Sequence, residues 1–338
     1  MRANRRLACI GVCVLLVSCG GQPKSDGSSQ GASPGRSTPF KVAFNTWVGY
    51  SPLVIARDKG MLKARGLSVE ISTLEGVGEK NSALIKGTVD AVGHTADAAV
   101  VSAASGVDGQ VMFIFDQSWG ADGLLTHSDV KSIQDLKGKR VALEPGFTGH
   151  FFFLSLLKDA GMKPTDVQVV PMETGQAGST FVAGGVDAAE TWEPWLGKAK
   201  AMPNAKVLVS SADKPGRIVD VLYMNRKTID GRREDVVKLV QAMGEATDWY
   251  AQNKAEGDDI MAKFWKLSAK EEADTVAGMR FMTLSQNREF FGTSEQPGPL
   301  LKTTSDAAQL WLDSQVIKKP VDAKSLIAFD VIDRASKR

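Results

Sequence analysis

Aromatic and acidic side chains occur in this sequence just after its short apolar runs, where a strand is expected to give way to a helix. In open α/β sheets, ligands bind beyond the carboxyl ends of the strands, where helix amides also point outward. Aromatic faces and carboxylates together suit an amine, a guanidinium or an aminopyrimidine, through cation–π contact and charge-assisted hydrogen bonds. The candidate ligand-binding residues at these positions are Trp47, Tyr50, Thr95, Asp116, Trp119, Phe147, Thr148, Glu173, Glu190, Trp192, Glu193 and Asp220.

These candidates include no arginine or lysine. A site for nitrate or a bare sulfonate is expected to use at least one cationic donor or several amides, because a buried anion must be neutralised. The residue chemistry therefore favours a small nitrogen-containing solute that is cationic or zwitterionic: an amine, a guanidine, a pyrimidine or a taurine-like compound.

Structural roles remain open for several of these residues. Trp47 and Trp192 can belong to the core, since tryptophan is usually well buried. Glu193 can cap helix amides, and Asp220 can pair with a residue across a chain crossing. Asp97 is expected to act as the N-cap of the helix that follows it rather than as a ligand contact.

The sequence shows no catalytic grouping. His94, His127 and His150 lack the paired spacing of a zinc site, and no serine, histidine and acid form a recognisable triad. These patterns predict a protein that is not an enzyme and that has no metal or other cofactor.

The first 18 residues have the features of a bacterial export signal. Three arginines and no acid precede an apolar run over 7–17, which is too short to cross a bilayer because a spanning helix needs roughly 20 residues. The run ends in Leu-Val-Ser-Cys-Gly, which resembles the lipoprotein box, so Cys19 is the predicted lipidation site. A plain signal peptide with an incidental cysteine is the alternative. Residues 19–39, rich in Gly, Ser and Pro, are predicted to form a flexible tether.

Charge and length limit the class of protein. Loss of residues 1–18 removes three arginines and no acid, so the formal net charge falls from +2 to −1. A nearly neutral chain offers no basic field for nucleic acid, so no nucleic-acid partner is expected. The length that remains exceeds the usual single-core size and predicts two lobes.

Short β-branched or apolar runs alternate with amphipathic segments, which is the α/β pattern. Helices are predicted over 53–63, 151–159 and 195–201, and beyond Arg232 the apolar spacing predicts helices without strands. The predicted strands are 40–45, 67–73, 91–93, 111–115, 140–143, 167–171, 188–191 and 206–209.

Six stretches together resemble the binding proteins of nitrate, aliphatic sulfonate, taurine and thiamine-precursor importers, a family also typified by the yeast thiamine pyrimidine synthase. The resemblance runs from about residue 40 to about residue 267. The stretches are NTWVGYSP from Asn45, ARDKG from Ala56, GTVD from Gly87, DQSWGADG from Asp116, LKGKR from Leu136 and GVDAAETWEP from Gly185.

This resemblance implies a two-lobed α/β periplasmic binding protein of type II, with a two-crossover hinge and a mixed sheet flanked by helices in each lobe. The implied first lobe is 40–126 plus 223–338, and the second is 127–222. The chain crossings would lie near 126–127 and 221–223, and closure about them would trap a ligand.

The resemblance further implies the extracytoplasmic solute-binding subunit of an ABC importer. The expected partners are a small solute, an ABC permease and its ATPase subunit, and a membrane through the lipid anchor in the periplasm or at the cell surface; the protein is expected to be a monomer. A binding protein for aliphatic sulfonate or nitrate is the alternative. A thiamine pyrimidine synthase-like enzyme and a sensory or scaffold lipoprotein are further alternatives.

Overall fold

The computed structural model of the chain describes residues 38–337. The predicted export signal over 1–18, the predicted lipidation site Cys19 and all but the last two residues of the predicted tether lie outside the described residues.

The described residues form eleven strands and fourteen α-helices, joined by loops and short 3-10 turns. The strands are β1 Phe40–Phe44, β2 Val69–Thr73, β3 Ala91–Thr95, β4 Gly109–Ser118, β5 Asp122–His127, β6 Arg140–Leu143, β7 Gln168–Pro171, β8 Ala188–Trp192, β9 Ala205–Ser210, β10 Val219–Asn225 and β11 Met279–Phe281. The helices are α1 Ser51–Asp58, α2 Met61–Ala64, α3 Val77–Lys86, α4 Ala96–Ala104, α5 Thr148–Asp159, α6 Thr174–Val182, α7 Trp195–Lys200, α8 Arg226–Gly231, α9 Arg233–Gln252, α10 Lys254–Trp265, α11 Ala269–Ala277, α12 Leu284–Phe291, α13 Pro299–Asp313 and α14 Phe329–Ser336. None of the helices within 38–337 has both the length and the apolar character needed to cross a membrane.

Each predicted strand has a counterpart, but β5 and β10 were not predicted. Two expectations about the elements are wrong. The helix predicted over 53–63 is two helices, because Gly60 adopts a left-handed backbone with φ of 75° between α1 and α2. A strand also follows Arg232, since β11 pairs antiparallel with β4. At three residues it is too short to show an alternating pattern in the sequence.

The strands build two separate mixed sheets. The first sheet has the order β11-β4-β10-β3-β1-β2, and the second has the order β7-β6-β8-β5-β9. Within each, parallel pairs such as β1 with β2 and β6 with β7 stand beside antiparallel pairs. Helices flank both sheets, as the α/β pattern predicts.

The chain passes between the sheets twice within the described residues, after β4 and after β9. These crossings are 119–121 and 211–218. The predicted crossings near 126–127 and 221–223 lie instead inside strands, because β5 pairs with β8 and β9 of the second sheet whereas β10 pairs with β3 and β4 of the first. The segment over 122–126 therefore belongs with the second sheet, and 219–222 belongs with the first.

One close approach in the first sheet fixes the loop after β1. The Tyr50 ring stacks on Phe44 with ring centroids 4.6 Å apart. A Cβ at Gly93 would lie 2.7 Å from both rings, closer than real Cβ contacts allow. Glycine in β3 therefore lets Tyr50 settle against the sheet.

A tryptophan from the C-terminal helices joins elements of both sheets. The Trp311 side chain of α13 is fully buried, and its Nε1 donates a hydrogen bond to the Asp97 carbonyl oxygen of α4 at 3.0 Å. Its ring lies 5.4 Å from His150 and 5.8 Å from Phe151, both in α5. Helix α13 thus packs against the first-sheet helix α4 and the second-sheet helix α5 at once.

Trp311→Ala is expected to lower the free energy of unfolding by about 3–5 kcal/mol, because a large cavity would form where α4, α5 and α13 meet. Trp119→Ala is the matched control, since the Trp119 side chain is 41% exposed and its loss should cost under about 1 kcal/mol. The midpoint of urea unfolding measures both variants. Equal midpoints for the two would show that Trp311 does not hold these helices together.

Candidate functional site

A small cavity lies between the two sheets and is walled by residues from both. Its volume is about 10 Å³, room for about one water molecule, so the two walls meet in a closed arrangement. The lining brings together most of the predicted residues with three that were not predicted. The predicted ones are Trp47, Tyr50, Thr95, Phe147, Thr148, Trp192 and Asp220, and the others are Asn45, Asp122 and Ile218.

The loop after β1 holds one aromatic wall against a carboxylate. Trp47 Nε1 donates a hydrogen bond to Asp116 Oδ2 at 3.4 Å. A Cβ at Gly49 would lie 2.0 Å from that oxygen and 2.3 Å from the indole nitrogen. Only glycine lets this turn cover Asp116. Asp116 itself lies beside the cavity wall and does not line the cavity.

Direct contacts across the cavity hold the two sheets together. Thr95 at the end of β3 and Thr148 at the start of α5 share a hydrogen bond between their hydroxyl oxygens at 2.6 Å. The Trp47 and Trp192 rings lie 6.0 Å apart, and the His94 and Phe147 rings also lie 6.0 Å apart. Each of these pairs takes one member from each side of the cleft.

Buried carboxylates surround this cavity, and several of their oxygens have no hydrogen-bond partner among the described residues. Asp116 Oδ1, Asp122 Oδ2 and both oxygens of Glu190 are in this group. Asp97 also has two unpartnered oxygens. Unpaired buried carboxylates are costly, so this cluster is electrostatically unfavourable.

Burial shifts the proton equilibria of these acids upward. It raises the pKa of Asp122 to about 7, with the Ser118 hydrogen bond acting in the opposite direction. Burial likewise raises the pKa of Asp97 to about 7. For Glu190 burial is again the main cause of a pKa well above the usual range, and the charge of Asp122 adds to it.

Asp116 and Asp220 lie on the neighbouring strands β4 and β10. They stand opposite each other in the register of β4 and β10. Burial is the main reason that both have a pKa well above the ordinary value, and the negative charge of nearby carboxylates raises it further. The Tyr50 hydroxyl beside Asp220 has its own pKa raised, first by burial and then by that carboxylate. The site therefore favours protons or another positive charge.

A buried lysine corrects the expectation of a site without cations. Lys80 of α3 is fully buried, and its ammonium donates to Asn45 Oδ1 and, at 2.9 Å, to the Gly93 carbonyl oxygen. The Nζ atom lies 5.0 Å from the centroid of the Phe147 ring. Burial lowers the pKa of Lys80 to about 8, although Glu144, Glu75 and Asp220 act to raise it. Lys80 was not predicted because the candidates were taken from positions that follow strands, whereas Lys80 lies within helix α3.

A second pocket of about 320 Å³ also has walls from both sheets and shares Trp192 with the inner cavity; we call it the mouth of the cleft. Its lining carries four carboxylates, Glu75, Glu144, Glu173 and Glu193. Both the mouth and the inner cavity are therefore acidic, and such a lining raises the local concentration of cations.

Glu144 joins the two sides of the mouth. It is buried after β6, and its Oε1 accepts a hydrogen bond from the Val77 amide at the start of α3 at 3.0 Å. Its Oε2 accepts from the Thr174 amide and hydroxyl at 3.3 and 3.2 Å, at the start of α6. One carboxylate thus bonds the N-termini of helices from both sheets, a favourable position for a negative charge.

Other predicted site residues lie away from the inner cavity. The Trp119 ring faces solvent with the Arg280 guanidinium 5.6 Å from its centroid, so it does not join the site. Glu173 is exposed at the mouth. Glu193 Oε2 accepts from the Gly197 amide at 2.7 Å, which is the capping alternative left open above.

Asp97 is not the N-cap that its position suggested. Helix α4 begins one residue earlier, with Thr95 at the N-cap position, and Asp97 is buried in the first turn. No group of three or more metal-ligating side chains in the described part of the chain is arranged to hold a metal ion.

Stability of the ligand-free protein is expected to fall as the pH rises from about 5 to about 7. Asp97 and Asp122 have a pKa of about 7 in the folded protein, whereas the ordinary pKa of an aspartate side chain is 3.8. The folded state therefore holds more protons in this interval, and the free energy of unfolding falls by up to about 1.4 kcal/mol per pH unit for each carboxyl.

Urea unfolding of the dialysed protein at several pH values measures this slope, and Asp122→Asn should flatten it. A free energy of unfolding that stays level or rises over the interval would contradict the buried-acid account.

Comparisons with known proteins agree with this architecture. A putative binding protein of Brucella abortus (strain 2308) is 28% identical over 299 residues, covering 86% of this chain and 91% of that protein. The taurine-binding periplasmic protein of Escherichia coli (strain K12) is 25% identical over 283 residues, covering 79% of this chain and 86% of that protein.

The alkanesulfonate-binding protein of Xanthomonas axonopodis pv. citri, solved with bound MOPS, superposes with a TM-score of 0.71 at 19% identity, covering 87% of this chain and 98% of that chain. This likeness shows that the fold is the one used by periplasmic binding proteins. The family model described as NMT1/THI5 like matches residues 47–256, more than half of the chain. The chain therefore belongs to the NMT1/THI5-like family.

Proposed function

We propose that this protein is the extracytoplasmic solute-binding subunit of an ABC importer, which captures a small nitrogen-containing organic solute by closure of two lobes. The observation that carries the proposal is the acidic, aromatic cavity whose walls come from two separate sheets. A site divided in this way is complete only when the two sides meet. Closure and binding are therefore the same event, as hinge-closing binding proteins require.

The inferred lobe boundaries follow the crossings at 119–121 and 211–218, with Cys19 as the lipid anchor and 19–39 as the tether. A permease and its ATPase would receive the solute. The names of the matched relatives, which are binding proteins, support this role over catalysis. The protein is proposed to act as a monomer.

Aliphatic sulfonate or nitrate is the alternative solute class. The names of the taurine- and alkanesulfonate-binding proteins favour it, and Lys80 supplies a cation near the cavity. However, the Lys80 ammonium already donates to Asn45 and Gly93, and carboxylates outnumber it around the site. An anion would face like charge from each carboxylate that has lost its proton, so the nitrogen-containing solute is the better match.

The function is tested by a melting-temperature screen of the purified protein against amines, guanidines, pyrimidines, taurine, sulfonates and nitrate. We expect one small solute to raise the melting temperature, since a ligand that binds only the folded state stabilises it. No shift with any solute would contradict the proposed role.

Asp116→Asn and Trp47→Ala are each expected to weaken binding of that solute at least tenfold, about 1.4 kcal/mol, while the fold stays intact. Trp47 lines the cavity, and its indole holds Asp116 beside it. Titration calorimetry measures the affinity, with the exposed Asp129→Asn as control. Unchanged affinity in both variants would place the solute elsewhere.

A further inference from the structure

We infer that the solute is a small planar cation of the guanidinium class, and that its positive charge is what permits the two sides of the cleft to close. This inference rests on the proposed function, because it names the chemistry of the same site.

Two carboxylates from opposite sheets face the inner cavity. Asp122 begins β5 of the second sheet, and its side chain is 5% exposed with Oδ2 lacking a hydrogen-bond partner among the described residues. Asp220, in β10 of the first sheet, is 4% exposed and lines the same cavity. A cation between them would be bound from both sides, so each sheet would supply part of its counter-charge.

The surrounding charges make closure unfavourable without such a cation. Asp116 stands opposite Asp220 across β4 and β10, and Glu190 adds a second unpaired carboxylate beside Asp122. The Lys80 ammonium offsets one negative charge, but it is held by Asn45 and Gly93. Bringing the remaining carboxylates together out of water therefore requires protons or a bound positive charge.

The aromatic walls favour a guanidinium over an ammonium. Trp47 and Trp192 meet at 56° and Phe147 meets Trp192 at 82°, so ring faces and edges enclose the cavity. A guanidinium is planar, stacks on aromatic rings, presents its N–H donors in the plane to carboxylates and is more weakly hydrated than an ammonium. The closed, ligand-free cavity of about 10 Å³ holds about one water molecule, so the two walls must move apart to admit the cation, and a small solute requires the least movement.

Protons compete with this cation for the same carboxylates. The acids that act on Asp122 and Asp220 are Asp97, Asp116, Glu190 and Glu193. Tyr50 and Lys80 are the other titratable groups facing the pair. Affinity for a cation should therefore rise with pH, by about tenfold or more between about pH 5.5 and about pH 8, because a carboxyl with its pKa near 7 must first lose its proton.

The test is titration calorimetry of the purified full chain with guanidinium at sub-millimolar concentration. Methylammonium, taurine, methanesulfonate and nitrate are the comparison solutes. We expect guanidinium to bind most tightly, with the stated rise in affinity with pH. Asp122→Asn should weaken guanidinium binding at least tenfold, whereas the exposed Asp129→Asn should bind like the unmodified protein.

The other outcomes separate this inference from the function on which it rests. Tight binding of taurine, methanesulfonate or nitrate without guanidinium binding would overturn the inference and leave the solute-binding role standing. Binding of none of these solutes would overturn the guanidinium assignment, and silence in the wider melting-temperature screen would overturn the role as well. Circular dichroism of Asp122→Asn checks that the variant is folded, so that a loss of binding is not a loss of folding. If the variant is unfolded, the pH dependence of guanidinium affinity in the unmodified protein is the test. An affinity that stays flat or falls as the pH rises would overturn the inference.

Discussion

The repulsion among buried carboxylates is the interaction on which the rest of the structure depends. Asp116 and Asp220 come from the first sheet, and Asp122 and Glu190 come from the second. Each is almost completely removed from water, and burial raises the pKa of all four. A protein gains nothing in stability from such a group of acids, so a functional role explains it better than packing does.

Two sheets joined by two crossings provide the means of control. When the sides separate, water solvates the carboxylates and their mutual repulsion falls. When they meet, favourable contacts form, such as the Thr95–Thr148 hydrogen bond and the bonds from Glu144 to two helix N-termini. The balance between these contacts and the repulsion sets how readily the empty cleft closes. We propose that a bound cation shifts this balance toward the closed form, so that the cleft closes when the solute is captured.

The sequence predicted eight of the eleven described strands and much of the cavity lining, because both depend on local patterns. Trp47 and Phe147 each follow a predicted strand, and ligands of α/β sheets bind beyond the carboxyl ends of the strands, where both residues line the cavity. The prediction of site residues failed where the position of a residue depends on contacts that are distant in sequence. Asp122 begins β5, which was not among the predicted strands, and Lys80 reaches the site from a helix. Trp119 also follows a strand, but it lies at a crossing and its ring faces solvent.

The crossings themselves were misplaced by a few residues for the same reason. The local sequences of β5 and β10 do not show which sheet each strand joins, because that depends on the strands with which they pair.

Mass spectrometry of the solute released by denaturing the freshly purified protein tests the central claim most directly. We predict a small organic cation with guanidinium-like nitrogen chemistry, present in a ratio near one per chain. Recovery of a sulfonate, nitrate or another anion from the cleft would contradict it.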